Sequence, residues 1–231
     1  MHVFTFAVSE GTVVDAPAYL RALRELGVSS ADLNRLRVDL AVVSGTRKAI
    51  VEVGHGLVSL TLRPLAPLPD EVVLSATAVR DERIHPEVCG PDLGWQRSCL
   101  AALGTHEGLL IDASSRIPQA IAAPLLTIST GESPVVTVSG HPRTTPSIAL
   151  DGVVDVLREA GAVVTDAPRG FRVYDLMHAE TWLIDPVHGA RLVTTWREYG
   201  VDVPGRIALN RGSLPTHREI NKMRWARAQA I

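Results

Sequence analysis

The chain predicts an α+β fold built from two units. Three observations carry that expectation. The first ninety residues interleave short alternating strands with two segments of helical period. The next hundred are dominated by strands around one strong amphipathic helix. A chain of 231 residues with 46% apolar content is also long enough to bury a substantial core. The expected division is a small N-terminal α+β unit over residues 1–90, a larger strand-rich unit over 91–200, and a partly helical extension over 201–231.

In order along the first unit, Val3 to Val8 alternates as a strand and Gly11 turns the chain into Thr12-Val13-Val14. A helix is expected from Ala16 to Leu26, with Asp15 as N-cap and Gly27 as its stop. A second opens at Ser29-Ser30-Ala31-Asp32 and runs to about Val43. Ala49 to Val53 and Leu57 to Leu62 flank Gly54-His55-Gly56, a hairpin signal that makes His55 a turn residue. Residues 63–69, with three prolines, read as a loop, and Glu71 to Arg80 as a strand.

In the second unit Leu93 to Leu103 is expected as a helix ended by Gly104. Gly108 to Asp112 and Ala122 to Ser129 read as a strand pair, and Val135 to Ser139 as a further strand. Pro146 to Ala160 is the amphipathic helix, opened by its proline and ended by Gly161. Strands follow at Glu180 to Ile184 and Arg191 to Thr195. The tail carries Asp202, Arg206, Arg211, Arg218, Glu219, Lys222, Arg224 and Arg227. Its end reads as a basic helix docked through Trp225, or equally as a partner-binding arm. Trp95, Trp182, Trp196 and Trp225 read as core or interface anchors.

A formal net charge of −2 argues against nucleic acid or an anionic membrane as the main partner. Cys89 and Cys99 provide no disulfide framework and suit a reducing compartment. No apolar run approaches the roughly 18 residues of a membrane span, and no charged-then-apolar leader opens the chain. A cytoplasmic protein is expected. The eight histidines are scattered without metal-ligand spacing, and no glycine-rich phosphate loop is present.

Three blocks carry a family resemblance. They begin at Gly90-Pro91-Asp92-Leu93-Gly94-Trp95-Gln96-Arg97, at Gly104-Thr105-His106-Glu107-Gly108-Leu109-Leu110-Ile111-Asp112, and at Ala179-Glu180-Thr181-Trp182-Leu183-Ile184-Asp185. Together with the order of the two units, they resemble the class IV aminotransferases over roughly residues 3 to 200. That family includes branched-chain and D-amino-acid aminotransferases and aminodeoxychorismate lyases. The resemblance implies the two-unit fold type IV of pyridoxal-phosphate (PLP) proteins, a homodimer, and a site between the units.

The residues the resemblance would assign to the cofactor depart from its pattern. The lysine that would hold the PLP aldehyde is replaced by Cys89, or by Gly90 at an offset of one. The glutamate expected against the pyridine nitrogen is Gln119, a neutral amide. The arginine expected on the first helix is Ala22, with Arg21 beside it facing elsewhere. The turn before the amphipathic helix, Pro146-Ser147-Ile148-Ala149, lacks the family's glycine and threonine, while Ser147 retains an anion-binding position. Lys48 and Lys222 are the chain's lysines, and Lys48, beside Arg47 next to a strand, is not expected in the pocket. Four departures together imply that PLP binding is lost and that no cofactor is held.

The expected function is a PLP-independent enzyme of small-molecule metabolism that binds a small anionic substrate in the vacated pocket. Cys89 would act as nucleophile and His188 as general base, with His85, Asp92, Arg80 and Arg83 near the thiol in sequence. Cys89 equally reads as a small hydrophobe filling the volume a lysine vacated, and His188 as a loop histidine. Gln119, His141, Arg143 and Ser147 are the expected substrate-binding residues, His141 and Arg143 reading also as a surface turn. Two alternatives stand beside this: a catalytically silent binding partner, and an atypical PLP-dependent aminotransferase or lyase.

Overall fold

The computed structural model describes residues 1–129, 134–208 and 212–231; Arg211 of the tail lies outside them. Strand β1 (His2–Ser9) and the short β2 (Thr12–Val13) lead into helices α1 (Ala16–Glu25) and α2 (Ser30–Ala41), and β3 (Thr46–Gly54) and β4 (Leu57–Pro64) close a hairpin. Then come β5 (Glu71–Arg80), α3 (Leu93–Ala101), β6 (Glu107–Ile111), β7 (Leu125–Ile128), β8 (Val135–Ser139), α4 (Ile148–Glu159) and β9 (Val163–Ala167). The chain finishes with α5 (Val173–His178), β10 (Glu180–Asp185), β11 (Gly189–Glu198), β12 (Val201–Pro204), α6 (His217–Ala226) and β13 (Gln229–Ala230).

Local chemistry explains most of these elements. In α1, Ala16, Tyr19, Leu20 and Leu23 recur at three- and four-residue spacing and are buried together. Ser29 caps α2 by accepting the Asp32 N–H at 3.1 Å. His55 and Gly56 both have positive φ (52° and 74°), as a two-residue turn matched to the strand twist requires, so β3 and β4 pair in register from Gly54 opposite Leu57. The expected loop over 63–69 begins later than its prolines suggest. Pro64 still sits opposite Arg47, because β4 is an edge strand and its missing N–H faces outward.

Among the described residues the strands form two sheets. The smaller runs β13-β2-β1-β3-β4, and the larger runs β6-β5-β11-β10-β7-β8-β9 with β12 on β11. Helices α1 and α2 cover one face of the small sheet, where Phe6, Leu23, Leu40 and Val51 are buried. The large sheet carries a core on each side. One is built under α4 around Val153, Leu157 and Trp182, the other around Leu74, Leu125, Leu183 and Trp196. The large sheet mixes parallel pairs (β5 with β11 and with β6, β8 with β9) and antiparallel ones.

Several expectations need correction. β5, read with the first unit, lies inside the large sheet, so sheet membership changes across residues 65–70 rather than near residue 90. β6 and β7 are not a strand pair. β6 pairs with β5, β7 pairs with β10 and β8, and a single bridge from Leu109 to Ala120 marks where the intervening chain doubles back. Asp15 occupies the N-cap position of α1 in a left-handed conformation and makes no capping bond, because its carboxylate is used by Arg224. The cap of α4 is Ser147 rather than Pro146. β9, α5, β12 and β13 were not foreseen.

The tail is not a free arm. Asn221 on α6 donates to the Ala190 carbonyl and accepts the Ala190 N–H, both at 2.8 Å, while Ile220 is fully buried under the large sheet. β13 then pairs with β2, and Ile231 enters the core of the small sheet. The C-terminal segment therefore fastens the two sheets together. Arg224 is the polar centre of this clasp, with 7% of its side chain exposed against 19% for Asp15. Replacing Arg224 by Met leaves that carboxylate without its counter-ion, and unfolding in urea is expected to show a loss of about 3 kcal/mol. An unchanged midpoint would mean that the pair does not hold the clasp.

Candidate active site

The two sheets enclose a cavity of about 360 Å³, a volume suited to a small metabolite. Its wall takes Lys48 from β3, Tyr19 from α1, Cys89 from the segment before α3, Gln119 from the β6–β7 connection, Ser147 from the start of α4, and His188 from the β10–β11 turn. Phe4, Leu93, Pro124 and Ile148 supply apolar surface. Of the six residues expected at a site, four line this cavity: Cys89, Gln119, Ser147 and His188. His141 and Arg143 do not.

The segment carrying Cys89 is pinned to β1. The Val3 N–H donates to the Cys89 carbonyl at 2.8 Å, and a side chain on Gly90 would come within 2.8 Å of the Met1 carbonyl oxygen. Gly90 also has φ of 142°, so position 90 tolerates only glycine on both counts. Cys89 is exposed as a residue, yet the surrounding walls withdraw enough solvent to push its thiol pKa above the ordinary value. The groups expected to activate it are engaged elsewhere. Asp92 accepts the backbone N–H groups of Ile84 and His85 at 3.0 and 2.8 Å, His85 lies against Glu87 at the surface, and Arg83 is paired with Asp81. The thiol is thus the favoured form at neutral pH.

His188 is held at both ring nitrogens. Nδ1 lies 3.2 Å from Asp185 Oδ1 and Nε2 lies 3.0 Å from the Ala66 carbonyl oxygen. The Asp185 contact raises the imidazole pKa, because the charged ring can donate at both positions. That arrangement leaves no lone pair for proton abstraction in the cavity, and the ring instead ties the proline-rich loop to the β10–β11 turn.

His141 and Arg143, expected to recognise an anion, are spent on internal partners. His141 Nδ1 accepts the Arg143 N–H at 3.1 Å, which places the ring proton on Nε2, 3.1 Å from Asp112 Oδ2. Arg143 donates from Nε to Asp81 at 2.8 Å and from Nη2 to the Arg83 carbonyl at 2.8 Å. Asp81 has no exposed side-chain surface and also accepts two bonds from Arg83, at 2.8 and 2.9 Å. Burial opposes its ionisation, but the two guanidiniums outweigh that and hold its carboxyl far below the usual carboxylate range.

This ion cluster reaches the cavity through Thr145. Arg83 Nη1 donates to Thr145 Oγ1 at 2.8 Å, Thr145 Oγ1 donates to the Pro86 carbonyl at 2.8 Å, and the Thr145 N–H donates to Gln119 Oε1 at 2.7 Å. Gln119 is 1% exposed. Ser147 caps α4 by accepting the Leu150 N–H at 3.2 Å.

Sequence reasoning missed Asp81, Thr145 and Tyr19, and it wrongly left Lys48 outside the pocket. The strand period held the clue to Lys48: Ala49, Val51 and Val53 face the small-sheet core, so Lys48 and Ile50 must face the other way. Glu107 was quoted only as part of a motif. It is 4% exposed beside the Ile121–Ala122 backbone under the cavity, and burial pushes its carboxyl up to about 7 against the N–H groups that bond it. Among the described residues no group of three or more His, Cys, Asp or Glu is placed to hold a metal, and no helix is long and apolar enough to cross a membrane.

Two sheets joined in this order across the cavity constitute the fold of the class IV aminotransferase-like structures. A hypothetical aminotransferase from Mycobacterium tuberculosis in its apo form superposes with a TM-score of 0.71 at 15% identity, over 97% of this chain and 87% of that one. The same protein is also known in a PLP-bound form. 4-Amino-4-deoxychorismate lyase from Pseudomonas aeruginosa superposes with a TM-score of 0.69 at 18% identity, over 96% and 88% of the two chains. The branched-chain amino acid aminotransferase of Escherichia coli gives 0.66 at 14% identity, over 97% and 84%. At these identities the likeness is one of fold. No protein-family model and no curated protein sequence matches the chain.

Two predictions test this electrostatics. Asp81 has a lowered folded pKa, so its contribution is complete above about pH 4 and is lost as pH falls below that. Asp81→Asn leaves Arg83 buried without its carboxylate, and chemical denaturation at pH 7 should show a loss of about 3–5 kcal/mol. Glu107 behaves oppositely. Its raised folded pKa gives stability that is full below about pH 4 and lost as pH rises through 7, on the order of 3 kcal/mol. Urea midpoints at pH 5 and pH 8 should therefore differ less in Glu107→Gln than in the wild type, and an equal difference would remove Glu107 as the cause.

Proposed function

We propose that this chain binds a small anionic metabolite in the cavity between its sheets, on an aminotransferase- and lyase-like fold, without a covalently held PLP. The observation that carries the reading is the pair Cys89 and Gln119 on one cavity wall. PLP supplies an electron sink when a lysine amine holds its aldehyde and an acidic partner keeps its ring nitrogen protonated. The thiol of Cys89 offers no such amine. Gln119 Oε1 is occupied by the Thr145 N–H, so the amide turns its N–H side to the cavity, a donor that cannot support a protonated ring nitrogen. The residues present do not fit the cofactor in its catalytic form.

The same geometry favours binding over thiol catalysis. Cys89 lacks an activating base or cation, and His188 is clamped at both nitrogens. One observation favours a second reading, an atypical PLP-dependent enzyme. Lys48 places a primary amine in the cavity wall from β3 of the small sheet, whereas Gln119 comes from the β6–β7 connection. The homodimer implied by the resemblance remains part of either reading.

Incubation with PLP followed by borohydride reduction and peptide mapping separates the two. The wild-type chain is expected to carry no reduced label on Lys48, and a stoichiometric label there establishes the second reading. The double variant Cys89→Lys with Gln119→Glu is expected to take up PLP covalently at residue 89. If it folds as the wild type does yet remains unlabelled, these two residues are not what separates the cavity from a PLP site.

A further inference from the structure

Gln119 has a fixed hydrogen-bond sense. Its 1% exposure and its place on the cavity wall make it a buried polar group whose amide borders empty volume. The group facing Thr145 must be the amide oxygen, since the Thr145 backbone N–H can only donate. Thr145 is itself held by Arg83, and Arg83 by Asp81, so a turned-over amide would set its N–H groups against the fixed Thr145 N–H. Among the described residues no acceptor meets Gln119 Nε2. A donor on a cavity wall with no protein acceptor is where a ligand or an ordered water completes the hydrogen bonding.

Lys48 supplies the second feature independently. Its side chain leaves β3 on the face opposite the small-sheet core and lines the same cavity. The carboxylates nearby are already used. Asp185 is bonded by His188 and by the N–H groups of Val187 and His188, Asp92 holds two backbone N–H groups, and the exposed Glu87 lies against His85. Arg83, the other strong cation on the wall, is paired with Asp81 and also donates to Thr145 and the Arg143 carbonyl. Among the described residues Lys48 has no carboxylate partner.

Resting on the binding reading above, we infer that the cavity selects an apolar-bodied ligand that presents an anionic group to Lys48 and a neutral hydrogen-bond acceptor to Gln119. The acceptor is an unprotonated aromatic ring nitrogen or a ring carbonyl. A ring bearing N–H at that point sets donor against donor and is rejected. Phe4, Leu93, Pro124 and Ile148 provide the apolar surface for the ligand body.

Calorimetric titration of the full chain with isomeric quinolinecarboxylates against the matching naphthoates tests the inference, because each pair differs only in a ring nitrogen for a CH. At least one quinolinecarboxylate is expected to bind about tenfold tighter than its naphthoate, the ratio ordinary for one hydrogen bond. Gln119→Glu keeps an oxygen for Thr145 and replaces the donor by an acceptor, so the preference should vanish or invert. Lys48→Met should weaken both members of the pair equally and leave their ratio unchanged. Melting curves establish that each variant is folded. A nitrogen preference that survives in Gln119→Glu overturns the inference, as does a ratio near one for every isomer, while binding of the acids alone would leave the cavity reading standing. If no acid binds the wild-type chain, the cavity reading falls together with this inference.

Discussion

A single carboxylate with no exposed surface, Asp81 at the end of β5, governs the geometry of the whole cavity. It draws Arg83 and Arg143 onto itself from separate loops, and each arginine then uses its remaining N–H groups on backbone carbonyls and on Thr145. Guanidinium groups suit this because their donors form a rigid fork that can serve several acceptors at once. The cluster fixes the segment leading to Cys89, the turn leading to α4, and, through Thr145, the amide of Gln119. Buried ion pairs of this kind add little net stability over apolar packing but cost a great deal when one partner is lost. Their value here is placement. Asp81 and Arg143 support the cavity wall from behind it, and of the three charged groups only Arg83 reaches the lining.

A second constraint acts from the other end of the chain. α6 packs against β11, Arg224 reaches Asp15 at the start of α1, and β13 extends the small sheet while Ile231 enters its core. The last residues therefore close the small unit as well as the large one. The two sheets could otherwise rotate about the proline-rich loop between β4 and β5, and the His188 contacts to Asp185 and Ala66 restrain that same loop. A cavity between two units has a defined shape only if both are fixed, and the clasp and the histidine meet that need from separate directions.

Much of the fold was legible because it follows from local chemistry. The apolar spacing of α1, the Ser29 cap of α2, the His55-Gly56 turn and the valine-rich run of β5 are set by neighbours in sequence. What escaped depended on distant partners. β9 is a short, mostly exposed strand with no period to detect, and β13 exists only because β2 receives it. The fates of His141 and Arg143 were hidden for the same reason: Arg143 finds Asp81 sixty-two residues away, and no local pattern announces that pairing. Cys89, Gln119, Ser147 and His188 line the cavity, and the resemblance that singled them out also implied a site between the units, while the reading of Lys48 weighed its charged neighbour Arg47 above the strand period.

On the reading proposed above a shared fold would carry an altered site, and that contrast has a physical basis. The sheets and their three cores rest on apolar burial, which many sequences satisfy, and identities of 14–18% with the superposed structures are enough to preserve it. A site rests on a few groups whose charge and hydrogen-bond sense cannot drift. Exchanging a carboxylate for the amide of Gln119 changes volume hardly at all, so the packing around it is undisturbed and the Thr145 contact remains available. The change in chemistry would nevertheless be complete, because an acceptor facing the cavity would become a donor. On that reading one isosteric substitution on a rigid support would redirect a pocket from a cationic ring to a neutral acceptor, with little cost to the packing that holds it.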